Sequence, residues 1–112
     1  MIKMNTIGDV IEVKFNNIKK INVVVCEELK PKLQKLMEKP NAKIMINMEG
    51  IHFLDSSGFA TFLSVSKLAT KNNGQIIFCN MHQSALELFE VLQLHTVFTI
   101  VKTPEQAVQF FK

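Results

Sequence analysis

Apolar strand-like runs alternate with amphipathic helical segments along most of this chain, and the alternation constrains the fold more than any other feature. KIMINM (43–48) and QIIFC (75–79) are short apolar runs typical of buried strands. Between them, residues 57–74 have apolar side chains at helical spacing. Because a helix that joins two such strands returns the chain to the same end of the sheet, this order predicts right-handed βαβ units and a mostly parallel sheet.

The N-terminal part is less regular. A strand is predicted at 9–15, with one apolar side, and a weak second strand at 16–22 could form a hairpin with it. A helix is predicted at about 24–39. Pro31 lies inside it and costs about 3 kcal/mol in a helix interior, so the helix is expected to begin near Leu29 or to be kinked. The remaining predicted elements are a helix, a strand and a helix, at 84–94, 97–101 and 103–111.

Capping residues are predicted at the starts of the last two helices. Ser84 and Glu87 have the spacing of a capping box. Thr103 is the expected N-cap of the final helix, with Pro104 at its first position and Gln106 closing a second box.

The length and composition indicate one globular domain over residues 1–112, with 47% hydrophobic and 21% charged residues. We find no signal-peptide pattern and no apolar run near the roughly 20 residues of a membrane span, so a cytoplasmic location without membrane insertion is expected. Cys26 and Cys79 lack the spacing of a zinc site and are expected to be buried free thiols.

The basic residues do not predict nucleic-acid binding. The net charge is +3, and all 13 basic side chains are lysines. Bidentate recognition of phosphate and guanine mostly uses arginine. The phenylalanines fall at core-like positions rather than beside the lysines, so no direct nucleic-acid partner is expected. The lysines are interpreted as a solvated face, with a contact surface for an acidic protein as the alternative.

No motif of catalysis, metal binding or nucleotide binding is present. The residues two before Ser56 and Ser57 are Leu54 and Asp55, whereas the serine hydrolase elbow has glycine there. The histidines lack i,i+4 spacing, and no glycine-rich phosphate loop occurs. We therefore expect no catalytic residue, no metal and no cofactor.

The segment Asp55-Ser56-Ser57-Gly58, hereafter the DSSG segment, lies before the clearest helix, in a loop that follows a predicted strand. Asp55 or Ser56 could accept hydrogen bonds from the free N–H groups of that helix, and Gly58 is expected to allow a tight turn. A serine there could also accept a phosphoryl group, whose charge of roughly −1.5 to −2 a helix N-terminus tolerates. Capping and modification both remain open at this point.

Two stretches resemble a known family. INMEGIHFLDSSGFATFLSVSKLATKNNGQIIFCN and LFEVLQLHTVFTIVKTPEQAVQFF are similar to STAS domains of the anti-sigma factor antagonist type, and the similarity covers nearly the whole chain. The resemblance implies a single α/β STAS-like domain, with a mixed, mostly parallel sheet and about four helices packed against it.

The resemblance also implies a switch protein without catalytic activity. In this family a kinase that is also the anti-sigma factor phosphorylates the first serine of the motif, which here is Ser56, with Ser57 as the alternative. The unphosphorylated form binds the anti-sigma factor and so frees a sigma factor, and a PP2C-type phosphatase restores that form. The residues expected to face the partner are Asn22, Asp55, Ser56, Ser57, Gly58 and Phe59.

Two departures from the family pattern suggest a second hypothesis. Family members usually carry G-x-[LI]-D before the first helix, whereas this chain has KKIN (19–22), with Asn22 in place of the acid. Phe59 replaces the common leucine after the DSSG segment. The alternative is a STAS adaptor that is not phosphorylated, such as the small subunit of a lipid-transporting ABC system or a signalling scaffold.

Overall fold

A computed structural model describes residues 1–111. Within this range the chain forms seven strands and four α-helices. In chain order these are β1 (Ile2–Ile7), β2 (Val10–Phe15), β3 (Lys20–Ile21), α1 (Val23–Met37), β4 (Lys43–Asn47), β5 (Phe53–Leu54), α2 (Ser56–Lys71), β6 (Gln75–Cys79), α3 (Gln83–Val91), β7 (Thr99–Ile100) and α4 (Pro104–Phe110).

The main sheet has five strands in the order β1-β2-β4-β6-β7. Strand β1 runs antiparallel to β2, and the other neighbours are parallel, with Ile44 paired to both Ile11 and Ile76. Strands β3 and β5 form a separate two-stranded parallel ladder. The predicted α/β class, with a mixed and mostly parallel sheet and four helices, is confirmed.

The two faces of the sheet are covered unequally. Helices α1, α2 and α3 pack on one face around Phe62, Phe78 and Phe89, whose rings meet edge to face at centroid distances of 4.9 Å (Phe62–Phe78) and 5.6 Å (Phe78–Phe89). The short helix α4 covers part of the other face, where Ala107 packs in a small cluster with Met45. The larger core therefore lies under the three helices, and α2 begins at the DSSG segment.

The predicted hairpin between 9–15 and 16–22 is wrong. Strand β3 leaves the main sheet and pairs with β5, while the actual hairpin joins β1 to β2 through Gly8 and Asp9. Gly8 has a φ of 60°, which glycine adopts without strain. A Gly-Asp pair between two apolar residues is a hairpin signal, so the missed strand β1 could have been inferred.

Strand β2 does not have one apolar and one solvent-facing side. Val10 and Glu12, on the side that carries the predicted polar residues, are both buried on the α4 face of the sheet. The Glu12 carboxylate accepts a hydrogen bond of 3.0 Å from Asn47 Nδ2, which compensates part of its desolvation. Because β2 is a central strand covered on both faces, period-two alternation did not predict its burial.

Helix α1 begins at Val23, so the expected late start near Leu29 is wrong. Pro31 lies inside the helix and is exposed. Because proline has no N–H, one carbonyl in the preceding turn lacks its helical donor. That carbonyl is near the solvated side, where water can replace the donor. The buried stripe of α1 consists of Cys26, Leu29, Leu33 and Met37, which are three or four residues apart.

Both cysteines are buried and free, as predicted. Burial, and then the charges of Glu12 and Glu105, raise the pKa of the Cys79 thiol to about 12. Cys79 is therefore a protonated core side chain rather than a reactive thiolate.

The N-caps of the last two helices are partly as predicted. Thr103 caps α4 by accepting from the Gln106 N–H, but Gln106 Oε1 accepts from Lys102 N–H instead of closing a box with Thr103. The Ser84–Glu87 capping box is wrong, because α3 begins one residue earlier with His82 as its N-cap. The last strand is shorter than predicted, at Thr99–Ile100. Helix α3 also ends earlier than predicted, at Val91, and a 3-10 turn follows at Leu94–Thr96.

Candidate functional site

The β3–β5 ladder places two helix N-termini beside each other. Ile21 of β3 is paired in parallel register with Leu54 of β5. The next residue of each strand is the N-cap of the following helix: Asn22 caps α1 and Asp55 caps α2. The DSSG segment therefore begins where two sets of free helix N–H groups come together.

Asp55 is the side chain that caps α2. Its Oδ1 accepts hydrogen bonds from Ser57 N–H at 3.0 Å and Gly58 N–H at 3.4 Å. Its own N–H donates to the Ile21 carbonyl at 3.2 Å, which fixes the cap to the ladder. The alternative left open by the sequence, a cap made by Ser56, is not the one adopted.

Ser56 is the first residue of α2 and is exposed, whereas Ser57 is half-buried. Within residues 1–111, neither the Ser56 hydroxyl nor its N–H has a hydrogen-bond partner. The Ser57 N–H is already engaged by Asp55. The two serines therefore differ in access, and Ser56 is the more accessible of the two.

Gly58 has a role different from the predicted tight turn. It is buried within α2 and is not one of the glycines with positive φ. A Cβ atom there would lie 3.2 Å from both Cγ2 and the carbonyl oxygen of Ile21, and 3.4 Å from Leu54 Cβ. The absence of a side chain at Gly58 thus lets α2 pack directly against the β3–β5 ladder.

Asn22 and Phe59, the other two residues predicted to face a partner, are both half-buried. Asn22 Oδ1 accepts from Val25 N–H at 3.1 Å. It therefore performs for α1 the capping that Asp55 performs for α2, without the charge. The Phe59 ring packs edge to face on Phe89 with centroids 5.5 Å apart, so much of this side chain faces the core.

The family model for the STAS domain matches residues 1–107. The chain belongs to the STAS domain family. It is 26% identical over 98 residues to the anti-sigma-B factor antagonist of Bacillus subtilis, covering 88% of this chain and 89% of that protein.

Solved STAS structures share the fold. An anti-sigma-factor antagonist (STAS) domain protein from Planctomyces limnophilus has a TM-score of 0.87 and 17% identity, covering 96% of this chain and 95% of that one. The Bacillus cell fate determinant SpoIIAA in its phosphorylated form has a TM-score of 0.75 and 17% identity, covering all of both chains.

Beside the DSSG segment, this STAS domain exposes apolar side chains that the sequence reasoning missed. Val23 and Val24 in the first turn of α1 are 58% and 67% exposed, and Phe53 of β5 is 43% exposed. Lys20 Nζ lies 5.2 Å from the Phe53 ring centroid. One sequence signal was available: at helical spacing, Val24 lies on the side of α1 opposite Cys26, Leu29 and Leu33. We call Val23, Val24, Phe53 and Ser56 the exposed rim.

The loop before the DSSG segment is held by α3. Ser84 Oγ donates to the His52 carbonyl at 2.7 Å, and the His52 and His82 rings stack with centroids 4.0 Å apart. His82 Nδ1 accepts from Ser84 N–H at 3.2 Å. These contacts give His52, His82 and Ser84 structural roles at the start of α3.

In the part of the chain that the structure describes, no three His, Cys, Asp or Glu side chains are grouped as a metal site would require. No helix among residues 1–111 is both long enough and apolar enough to cross a bilayer.

Proposed function

We propose that this STAS domain is an anti-sigma factor antagonist controlled by phosphorylation of Ser56. In its unphosphorylated form it binds an anti-sigma factor that is also a serine kinase, and so frees a sigma factor. The observation that carries the proposal is the exposed Ser56 at the first position of α2, with a free hydroxyl and apolar side chains beside it. The protein acts by binding rather than by catalysis.

The N-terminus of α2 can hold a phosphoryl group without unfolding. Asp55 occupies the N–H groups of Ser57 and Gly58, while the N–H of Ser56 itself is unpaired within residues 1–111. A phosphate on Ser56 would meet that N–H and the positive end of the helix dipole. The neighbouring Asp55 carboxylate opposes this gain, so a small net change in stability is expected.

The same phosphate would disrupt a complex. A partner that covers the exposed rim must remove water from Val23, Val24 and Phe53, and Ser56 lies among them. Adding a charge of roughly −1.5 to −2 there imposes a desolvation penalty and repels a partner of like charge. The switch thus changes the interface and leaves the fold in place.

The relatives support this reading. One is named an anti-sigma-B factor antagonist, and another was solved in a phosphorylated form. We also propose that the cycle is cytoplasmic and that a PP2C-type phosphatase restores free Ser56. The partner-facing residues are then Asp55, Ser57 and the exposed rim, which includes Ser56. Asn22, Gly58 and Phe59 support this surface from the side that faces the core.

Mass spectrometry tests the proposal directly. The protein is incubated with ATP and the candidate anti-sigma kinase of its own organism, and the phosphate is located in the wild type and in the Ser56→Ala and Ser57→Ala variants. We expect phosphate on Ser56, lost in Ser56→Ala and kept in Ser57→Ala. Phosphate on neither serine would overturn the proposed cycle.

A STAS adaptor of an ABC lipid transporter or a signalling scaffold is the second candidate. The observation that favours it is the neutral cap at Asn22, where phosphorylated family members usually carry an acid. A pull-down that recovers a transporter ATPase and no kinase would support the adaptor and contradict the switch.

A further inference from the structure

A groove of about 660 Å³ lies at the carboxyl ends of three parallel strands, and none of the exposed-rim residues lines it. Its lining comes from the segments that follow β4, β6 and β7, together with the first turns of α3. This edge of an α/β sheet is where ligands commonly bind. The volume falls within the range of roughly 300–1,000 Å³ found for small-molecule sites.

The walls of the groove are apolar. Met81, Leu86 and Ile100 line it and are half-buried, so each has apolar surface left uncovered by the protein. Covering that surface would favour a ligand with an apolar body.

The groove has one cation without an acidic partner. Lys102 lines it together with the imidazole rings of His82 and His95, and Glu49 is the acid among its described residues. The Glu49 carboxylate lies 4.0 Å from Lys14 Nζ, which offsets its charge. Lys102 Nζ has no acidic partner among residues 1–111. The Lys102 ammonium group can therefore attract an anionic group on the ligand.

Hydrogen bonds within the protein hold the floor of the groove in place. Asn80 has a left-handed φ of 55°, and its N–H donates to the Lys102 carbonyl at 3.1 Å. Its Nδ2 donates to Asn47 Oδ1 at 3.1 Å, and Asn47 Nδ2 donates to the Glu12 carboxylate. Asn47 and Glu12 are 3% and 7% exposed. A buried network of this kind lowers the cost of ordering a binding site.

We infer that this groove binds a small amphipathic anion, with an apolar body against Met81, Leu86 and Ile100 and a phosphate or carboxylate near His95 and Lys102. The inference does not depend on the phosphorylation of Ser56. The inference gives the Glu12–Asn47–Asn80 network a role, which is to hold the floor of the groove in place. This network lies outside the exposed rim.

A titration followed by ¹H–¹⁵N NMR tests the inference with probes that separate the two halves of the ligand. Hexyl phosphate and heptanoate combine an apolar body with an anion; hexanol supplies the body alone and inorganic phosphate the anion alone. We expect one or both amphipathic anions to shift the amides of Gly50, Met81 and Val101 saturably. The single-feature probes should bind at least about tenfold more weakly, since each lacks one set of contacts.

Two variants identify the anion contact. Lys102→Gln is expected to weaken the binding of the better probe about three- to fivefold, the range for one exposed charge contact. Lys71→Gln, which removes an exposed lysine from the last turn of α2, should leave it unchanged. The inference is overturned if neither anion gives saturable shifts at these amides up to about 10 mM. It is also overturned if hexanol binds equally well, or if both lysine variants behave alike.

Discussion

The N-termini of α1 and α2 share one geometry and differ in chemistry. Each follows a strand of the β3–β5 ladder, and each is capped by an Asx side chain. The α1 cap, Asn22, is neutral and is followed by exposed valines, whereas the α2 cap, Asp55, is charged and is followed by an exposed serine. The α1 start thus shows what capping alone requires, and the α2 start adds the exposed serine on which the proposed switch depends.

Capping alone does not explain why an exposed serine stands at the first position of α2. Asn22 shows that an Asx side chain followed by apolar residues is sufficient to begin a helix here. At α2, Asp55 makes the capping bonds and the Ser56 hydroxyl is free within the described chain. The hydroxyl is therefore available for a role outside the fold, and the charged and neutral caps can be tested against each other.

The largest expected effect comes from filling the space between α2 and the ladder. Gly58→Val would place side-chain atoms against Ile21, including its carbonyl oxygen, and should lower the free energy of unfolding by about 2–3 kcal/mol. The control is Ala60→Val at an exposed position of the same helix, which should cost only about 0.5 kcal/mol. Urea denaturation measures both. Equal losses would show that the close approach at Gly58 is unimportant.

Removing each cap compares the two helix starts directly. Asp55→Ala should destabilise the protein by about 1–2 kcal/mol, because two N–H groups lose their acceptor. Asn22→Ala should cost about 1 kcal/mol or less, because one N–H is involved. Chemical denaturation of both variants gives the difference. A larger loss at Asn22 would reverse the assigned order of the caps.

The smallest expected effect comes from giving α1 the charged cap of α2. Asn22→Asp keeps the acceptor oxygen and adds a charge that the helix dipole favours, by about 0.3–1 kcal/mol. Repulsion from Asp55 at the neighbouring helix start opposes this gain, so a net change below about 0.5 kcal/mol is expected. Thermal unfolding at low and high salt checks it. A loss above about 1 kcal/mol at low salt would mean that the two carboxylates repel more strongly than the dipole attracts.

Much of the fold was predictable, because amphipathic helices and apolar strands carry their own periodicity. Residues 43–48, 57–74 and 75–79 were placed correctly for this reason. The β3–β5 ladder was not predicted, since strands of two residues show no period and their pairing depends on distant parts of the chain. Burial of Glu12 was missed for a related reason: α4, far along the sequence, covers that face.

The candidate site was located by its residue types, but the geometry within it was only partly predictable. The pattern Asp-Ser-Ser-Gly indicated a helix start and left two residues open as the cap; the hydrogen bonds select Asp55. Gly58 was assigned to a turn, although it permits a close approach to Ile21, which no local pattern indicates. Exposure of Val23 and Phe53 also depends on the tertiary arrangement.

The central claim is that charge at Ser56 controls partner binding without unfolding the domain. Isothermal titration of the anti-sigma factor with the wild type, Ser56→Asp and Gln109→Glu tests it most directly, because Gln109→Glu adds the same charge on exposed α4. We predict at least about tenfold weaker binding for Ser56→Asp, unchanged binding for Gln109→Glu, and nearly equal thermal stability of all three proteins. Equal affinity of the wild type and Ser56→Asp would contradict the claim.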